Sequence, residues 1–481
     1  MIISKKTSWF FVLIIVFLAF LVRFHNIDKE DIWLDEAYSL YVAEQPSFVD
    51  LINNMSTYED NPPLYYISLH YWIKLFGNSE TAVRALSLFL GLGSIILLYM
   101  LASLLFDRKT GLLSAFFMFF SLIQTVYSQE ARAYMLLVFL TLLSTLLFVR
   151  LLKKRTWFNQ SGYILFTALL LYTHYLSFFV IFFQNIIFFL FYPKKEFRKW
   201  VAYQFLILLL YVPWLPFFYN QFSSIHNSLK IRFLYKLGMP YFIGNLGVFL
   251  FAIPLLLLFV IGIWLYVAGL NKKIVPFIKK IHVPDYLLIF FIGIFIVSYF
   301  FFISKLITPI FFTRYPIFLF FLFYIALSRI LLILKNKKIA LVLFLLLIFL
   351  NTFALYSYKI SPDKKEPWSK VDSIISASDE NSAILFFWGA SQLPFDYYYR
   401  GDSTEIQLKR GTEEEMNAHV SSVKEELLTY DSWWLILSHS YDGGEFYKDK
   451  LSDLNADYSI TSSVSFNGIE LINYKKNEIN I

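Results

Sequence analysis

Long apolar runs alternate with short polar turns along most of the chain. Runs near the roughly 20 residues that an α-helix needs to cross a hydrocarbon core fall at 8–24, 82–106, 111–127, 133–151, 161–175, 176–192, 201–219, 243–269, 285–304, 311–334 and 338–357. The pattern predicts about eleven transmembrane helices. Because the runs are continuous rather than short and alternating, a transmembrane β-barrel is excluded. The start, MIISKKTSWFFVLIIVFLAFLV, has a positive end and an apolar run without a small-residue cleavage site. It reads as an uncleaved first span.

Two regions break this rhythm. Loop 25–81 is longer than a mere connection, since structureless loops beyond about 15 residues are uncommon. Its pieces WLDEAYSLYVAE (33–44) and LYYISLHYWIKLF (64–76) read as helices suited to the membrane interface. Asn61 before Pro62 reads as a helix N-cap followed by proline in the first helical position. The other region, 358–481, mixes polar and apolar positions, with β-like runs AILFFW, WWLILSH and YSITSSVSF between helices such as PWSKVDSIISA and 412–428. The expectation is an all-α polytopic bundle, 1–357, followed by a small soluble α/β domain, 358–481.

Composition agrees: 58% of residues are hydrophobic, 21% aromatic and only 16% charged. The net charge of +7 does not point to nucleic acid, because Lys and Arg sit in short turns between spans. With Lys5 and Lys6 placed in the cytoplasm, the inner turns carry roughly nineteen Lys and Arg and the outer ones roughly eight. This register puts loop 25–81, the SQEARAY turn, the THY turn, 220–242 and the C-terminal domain on the extracytoplasmic side of a cell membrane. The chain has no cysteine, which removes disulfides and thiolate metal sites.

The chemistry-bearing residues collect in those outer segments. Asp35 and Glu36 are adjacent in DIWLDEAYSL, among Trp33, Leu34, Tyr38 and Tyr41. The plain reading is a solvated acidic pair, but an unpartnered carboxylate is costly among such neighbours. Adjacent side chains on a helix diverge by about 100°, so one carboxylate would act while the other anchors a neighbour or a metal. Glu59 and Asp60 form a second acidic pair. In SQEARAYML, Gln129, Glu130, Arg132 and Tyr134 crowd one turn. Glu130 with Arg132 would make a simple ion pair, yet arginine is also the cation best suited to grip a phosphate in a partly dry place. His174 ends a span, where a capped structural histidine is the ordinary reading. Lys230, Arg232, Lys236, Lys305 and Arg314 are outer cations that run against the orientation rule; lipid headgroups or an anionic ligand would explain them. Asp35, Glu36, Asp60 and His174 are donors suited to a divalent metal, though their spacing demands none. No cofactor is otherwise indicated. SQLPFDYYYRG (391–401) is aromatic enough to stack on sugars, but Tyr and Phe so spaced more often form core.

WLDEAYS, NPPLYY, YSQEARAYML and YTHY, in that order, resemble the dolichyl-phosphate-mannose-protein mannosyltransferase-like family, which includes relatives of protein O-mannosyltransferases and aminoarabinose transferases. The resemblance covers about residues 8–200, with FFTRYPIF and EPWSKVDSI as looser landmarks. It implies a C-type glycosyltransferase (GT-C) fold and inverting transfer of a sugar from a polyprenyl-phosphate carrier to a protein, lipid or wall-glycan acceptor. Carried over, Asp35 matches the catalytic base and Glu36 its companion. Asn61 stands where other members have lysine or histidine, which shifts the expected phosphate contacts to Arg132 and Arg314, with Asn61 and Tyr134 beside the donor. Glu59, Asp60, Gln129, Glu130 and His174 would support them. The rival class is a lipid-linked-sugar flippase, which calls for polar residues in mid-span and discontinuous helices; here the charges lie in the outer turns instead.

Overall fold

The computed structural model describes residues 3–59, 61–192, 194–221, 315–360, 365–378, 382–387, 389–408, 413–438 and 457–477. The expected spans 243–269 and 285–304 lie outside them. The chain separates into two compact units: Met1–His25, Val42–Gly77 and Ala82–Tyr356 form the first, and Asn26–Tyr41, Asn78–Thr81 and Ser357–Ile481 the second.

The first unit is a helical membrane bundle. Among the described residues, six helices are long and apolar enough to cross a membrane: Lys5–Phe24 (α1), Glu80–Leu105, Tyr134–Lys153, Phe197–Gln221, Pro316–Ile333 and Lys337–Ile360. Trp157–Leu171 and Ser177–Phe191 are apolar but shorter. Polar residues at their starts fix several of these helices: Ser4, Asp107 and Thr156 each accept the backbone N–H three residues on, satisfying a donor that the helix itself cannot. Within the bundle small polar side chains join neighbours. Ser144 bonds Thr167 at 2.8 Å, Gln184 donates to Ser144 at 3.1 Å, and Ser114 donates to Ser328 at 3.2 Å. Such bonds hold where apolar burial gives no preference between lipid and protein.

Two expectations need correction here. Span 111–127 is two helices, Arg108–Phe120 and Leu122–Tyr127. Ser121 breaks them apart with ψ 119, and its hydroxyl accepts from Tyr324 at 2.7 Å. Asn61 is no N-cap: the helix begins at Leu64, and Pro63 precedes it without a side-chain cap. Instead the Leu64 N–H donates to the Tyr172 carbonyl at 2.8 Å, so a tertiary contact replaces the local one. The loop helices Leu34–Ala43 (α2) and Leu64–Phe76 (α4) fall where the pattern places them. Between them lies Phe48–Tyr58 (α3), not anticipated from sequence. Its signal is present in Ser47, whose hydroxyl accepts the Asp50 N–H at 3.1 Å in the manner of an N-cap.

The second unit carries a five-stranded mixed sheet in the order β2-β1-β3-β5-β4. Its strands are Ser382–Phe386 (β1), Thr404–Gln407 (β2), Ser432–Ser438 (β3), Tyr458–Phe466 (β4) and Ile469–Lys476 (β5). β1 runs parallel to β2 and β3; the rest is antiparallel. The central strand SWWLILS divides its side chains between two cores, as a period of two requires. Trp433, Leu435 and Leu437 pack with Val420, Val423 and Leu427 of helix Glu413–Leu427. Trp434 and Ile436 pack on the other side with Trp368, Val371 and Ile375 of Trp368–Ile375 and with Phe395 and Tyr399.

Candidate active site

In the first unit, three of the motif turns converge. Arg132, from the turn before Tyr134–Lys153, reaches across to Glu59 at the end of α3, with Nη1 2.5 Å from Oε1. Both side chains are almost wholly buried, at 10% and 4% exposure. Within the turn, the Arg132 N–H donates to the Glu130 carbonyl at 2.9 Å. Glu130 itself is buried. Tyr66 of α4 is fully buried beside the pair, and burial, then the charge of Glu59, pushes its phenol well above the ordinary value. It therefore stays protonated, a neutral O–H next to a charged pair. Asn61 lies near enough to interact with the same phenol.

Other contacts tie this cluster to its surroundings. Gln221 donates to the Glu59 carbonyl at 2.7 Å and accepts from Tyr175 of the YTHY turn. Ser87 contacts the Arg132 carbonyl at 3.4 Å. Tyr134 stacks edge-on against Tyr127, with centroids 5.2 Å apart, and its ring lies 6.2 Å from that of His174. The His174 Nδ1 accepts the Leu176 N–H at 3.2 Å, so this nitrogen orients its own turn. Gln129 donates to the carbonyls of Arg23 and His25 at 2.8 and 3.2 Å, closing the open C-terminal end of α1. Arg314 and Asp60 lie outside the described residues, as do Lys230, Arg232, Lys236 and Lys305.

Asp35 and Glu36 belong to the second unit. They occupy the first turn of α2, where carboxylates complement the helix dipole. Asp35 is partly exposed. Glu36 is fully buried and paired with Lys365, whose Nζ stands 2.9 Å from Oε2 and 5.6 Å from the centre of the Trp33 ring. Removing one partner of such a buried pair typically costs roughly 3–5 kcal/mol. Of the two adjacent carboxylates, Glu36 is thus anchored to a neighbour.

Sequence reasoning missed Lys365, Tyr66, Gln221 and Tyr398. Nothing local marks Lys365, which lies 329 residues from its partner; Tyr66 belongs to NPPLYY, where its residue type reads as an interfacial aromatic. The aromatic stretch 391–401 resolves into core and contact roles: Phe395 and Tyr399 are buried in the domain, and Tyr397 and Tyr398 hydrogen-bond to Asn78 and Ile32. Among the described residues no three His, Asp or Glu side chains lie close enough to hold a metal ion.

Residues 60–218 match the profile of the family described as Dolichyl-phosphate-mannose-protein mannosyltransferase. A search of curated proteins gives no match. Among solved structures, the fold is similar to the Archaeoglobus fulgidus oligosaccharyltransferase in complex with Zn and sulfate, with TM-score 0.53 at 12% identity over 98% of this chain and 73% of that one. It is also similar to ArnT from Cupriavidus metallidurans in the apo state, with TM-score 0.51 at 13% identity over 98% of both chains. A third match is the archaeal oligosaccharyltransferase AglB from A. fulgidus with an inhibitory peptide and a dolichol-phosphate, at TM-score 0.51, 11% identity and 99% and 75% coverage. The profile overlaps the stretch on which the resemblance was drawn, and the fold is shared with these structures. At these identities the structures speak for the fold.

Proposed function

We propose that this chain, which carries the mannosyltransferase family profile over residues 60–218 on a multi-pass membrane fold, is a polyprenyl-phosphate-sugar-dependent glycosyltransferase. It moves a sugar to an acceptor hydroxyl on the extracytoplasmic side. The observation that carries this reading is the meeting of the NPPLYY, SQEARAY and YTHY turns, all three within the segment that matches the family, around the buried Arg132–Glu59 pair.

An acceptor hydroxyl is a poor nucleophile, and Asp35 takes its proton as the new bond forms. The oxygen attacks the anomeric carbon, the bond from that carbon to the phosphate oxygen breaks, and configuration inverts. The polyprenyl phosphate leaves with the bonding electron pair, so no acid is needed to protonate it. Its growing charge is met by Arg132, whose planar group offers several N–H donors. Glu59 already faces one of them, so donor binding shares the guanidinium between a carboxylate and a phosphate. Tyr66 and Asn61 add neutral donors beside it. Arg314 is the second proposed phosphate contact, and Tyr134 and His174 form the adjoining aromatic wall. A divalent metal would draw on Asp60 together with residues of this site, and no step is routed through one. The acceptor is a protein, a lipid or a wall glycan.

The test is transfer in proteoliposomes, with decaprenyl-phosphate mannose as probe donor and host envelope extract as acceptor source. Asp35→Asn should lower transfer about 10²–10⁴-fold; transfer equal to the parent would remove Asp35 as base. Lipid-linked sugar crossing the bilayer without transfer would favour the flippase instead.

A further inference from the structure

The residues flanking Asp35 are held by a second set that lies more than three hundred positions later in the chain. The Asp31 carboxylate accepts the Ser369 N–H at 2.7 Å. Ser369 lies in the first turn of helix Trp368–Ile375, which begins at Pro367 without a side-chain cap of its own. Asp31 thus acts as that helix's cap from a distant segment, satisfying a donor the helix leaves open. Glu30 accepts the Lys365 N–H at 3.3 Å. The buried Ile32 N–H donates to the Tyr398 hydroxyl at 2.8 Å, and that hydroxyl donates onward to Glu80 at 3.0 Å. Tyr397 donates to the Asn78 carbonyl at 2.8 Å. Glu36 is closed on Lys365.

We propose that Lys365 and Tyr398 are positioning residues that fix the rotation of α2 and with it the direction of the Asp35 carboxylate. The physical reason is helical geometry. Side chains of adjacent helical residues point about 100° apart, so clamping Glu36 to a buried ammonium fixes where Asp35 points. Tyr398 sets the other coordinate by holding the Ile32 amide just before the helix starts. Lysine fits this role because its compact ammonium satisfies one carboxylate while its charge rests over Trp33. A base must be held to within about 0.5 Å of its productive place. Here the C-terminal sheet domain, whose role the sequence left open, performs that holding.

This inference rests on Asp35 being the base, and its test separates the two claims. Hydrogen exchange on the full-length protein in nanodiscs needs no substrate. Lys365→Met should speed exchange of the amides of residues 32–37 at least tenfold while the sheet amides of 432–438 stay protected. In the proteoliposome assay with decaprenyl-phosphate mannose, the same variant should lower kcat at least tenfold with donor KM within about twofold, and Lys365→Arg should recover most of that loss. Tyr398→Phe removes only one oxygen and should reproduce both effects on a smaller scale, which keeps the test open if Lys365→Met does not fold. Unchanged exchange at 32–37 in Lys365→Met, or in Tyr398→Phe where the first variant fails to fold, overturns the positioning role. Full transfer by Asp35→Asn alongside altered exchange removes the base but leaves the clamp intact.

Discussion

Two buried ion pairs, one in each unit, solve the same electrostatic problem differently. Arg132–Glu59 joins two turns that both carry recognisable motifs, whereas Lys365–Glu36 joins a motif residue to a position without any local signature. The chemistry of the cations explains what each pair is for. Arginine's planar fork presents five N–H groups, and one carboxylate does not exhaust them. A lysine ammonium is closer to a point charge, and in a buried pair it serves chiefly to neutralise and locate its partner. On the proposed reading, the arginine of the membrane unit can address a phosphate as well as its carboxylate, and the lysine of the second unit serves position.

The comparison breaks most visibly at Arg132. Arg132→Ala strands a buried carboxylate, and removing one member of such a pair costs roughly 3–5 kcal/mol. The expected outcome is a large fall in thermal stability of the membrane unit together with loss of donor use in steady-state kinetics. Arg132→Lys separates these effects. It keeps the charge opposite Glu59 and most of the stability, but loses the fork, so donor KM should rise about tenfold with a smaller change in acceptor KM, an effect of about 1.4 kcal/mol. A variant with unchanged donor KM would make Arg132 a structural cation like Lys365, and the contrast between the pairs would disappear.

Glu59→Gln sharpens the contrast from the acid side. With the carboxylate neutral, Arg132 can turn its whole charge to a phosphate, and donor KM should fall severalfold, about 1 kcal/mol or less. The corresponding Glu36→Gln change should leave donor KM unaltered and lower kcat instead. Both are read from saturation curves at fixed acceptor. A rise in donor KM for Glu59→Gln would mean that Glu59 aims Arg132 rather than competing for it.

What the sequence made visible follows from the range of the interactions. Helices α2 and α4 are legible because their apolar pattern and breakers lie within a dozen residues, and the strand SWWLILS because both of its faces are apolar. The break at Ser121 was not legible, because a tertiary hydroxyl contact from Tyr324 accompanies it. The Asn61 cap failed for the same reason: the Tyr172 carbonyl took over the helix start. β5, not expected from sequence, follows Asn467-Gly468 in a two-residue turn with Gly468 at φ +78, which is a local hairpin cue. Asp35, Glu36, Arg132 and Glu59 stand out as candidates by residue type, whereas the pairing of Glu36 with Lys365 depends on how distant segments of the second unit pack.

The caps and carboxylates of the second unit give the smallest effects. Asp31→Ala removes the cap on Ser369 and should lower that unit's stability by about 1 kcal/mol, seen as a lower melting temperature of the full-length protein. A pH effect comes from Asp396. Partial burial and then the neighbouring Glu405 push this carboxyl up to about 7, against the opposing charge of Arg400. In the unfolded chain it titrates near 4. A folded value above the unfolded one means that the protonated form favours folding. The contribution is complete below about pH 4 and fades as pH rises through about 7. Because this face of helix Gln392–Tyr398 is open to water, the loss is expected to stay under about 1 kcal/mol. Melting temperature should therefore decline between about pH 4 and 7 in the parent, and Asp396→Asn should flatten that slope. Tyr398 lies two positions on along the same chain segment. If ionising Asp396 loosened the helix as a whole, exchange at residues 32–37 would quicken over the same pH window; a flat exchange profile would confine the titration to the domain's own surface and leave the hold on α2 independent of pH.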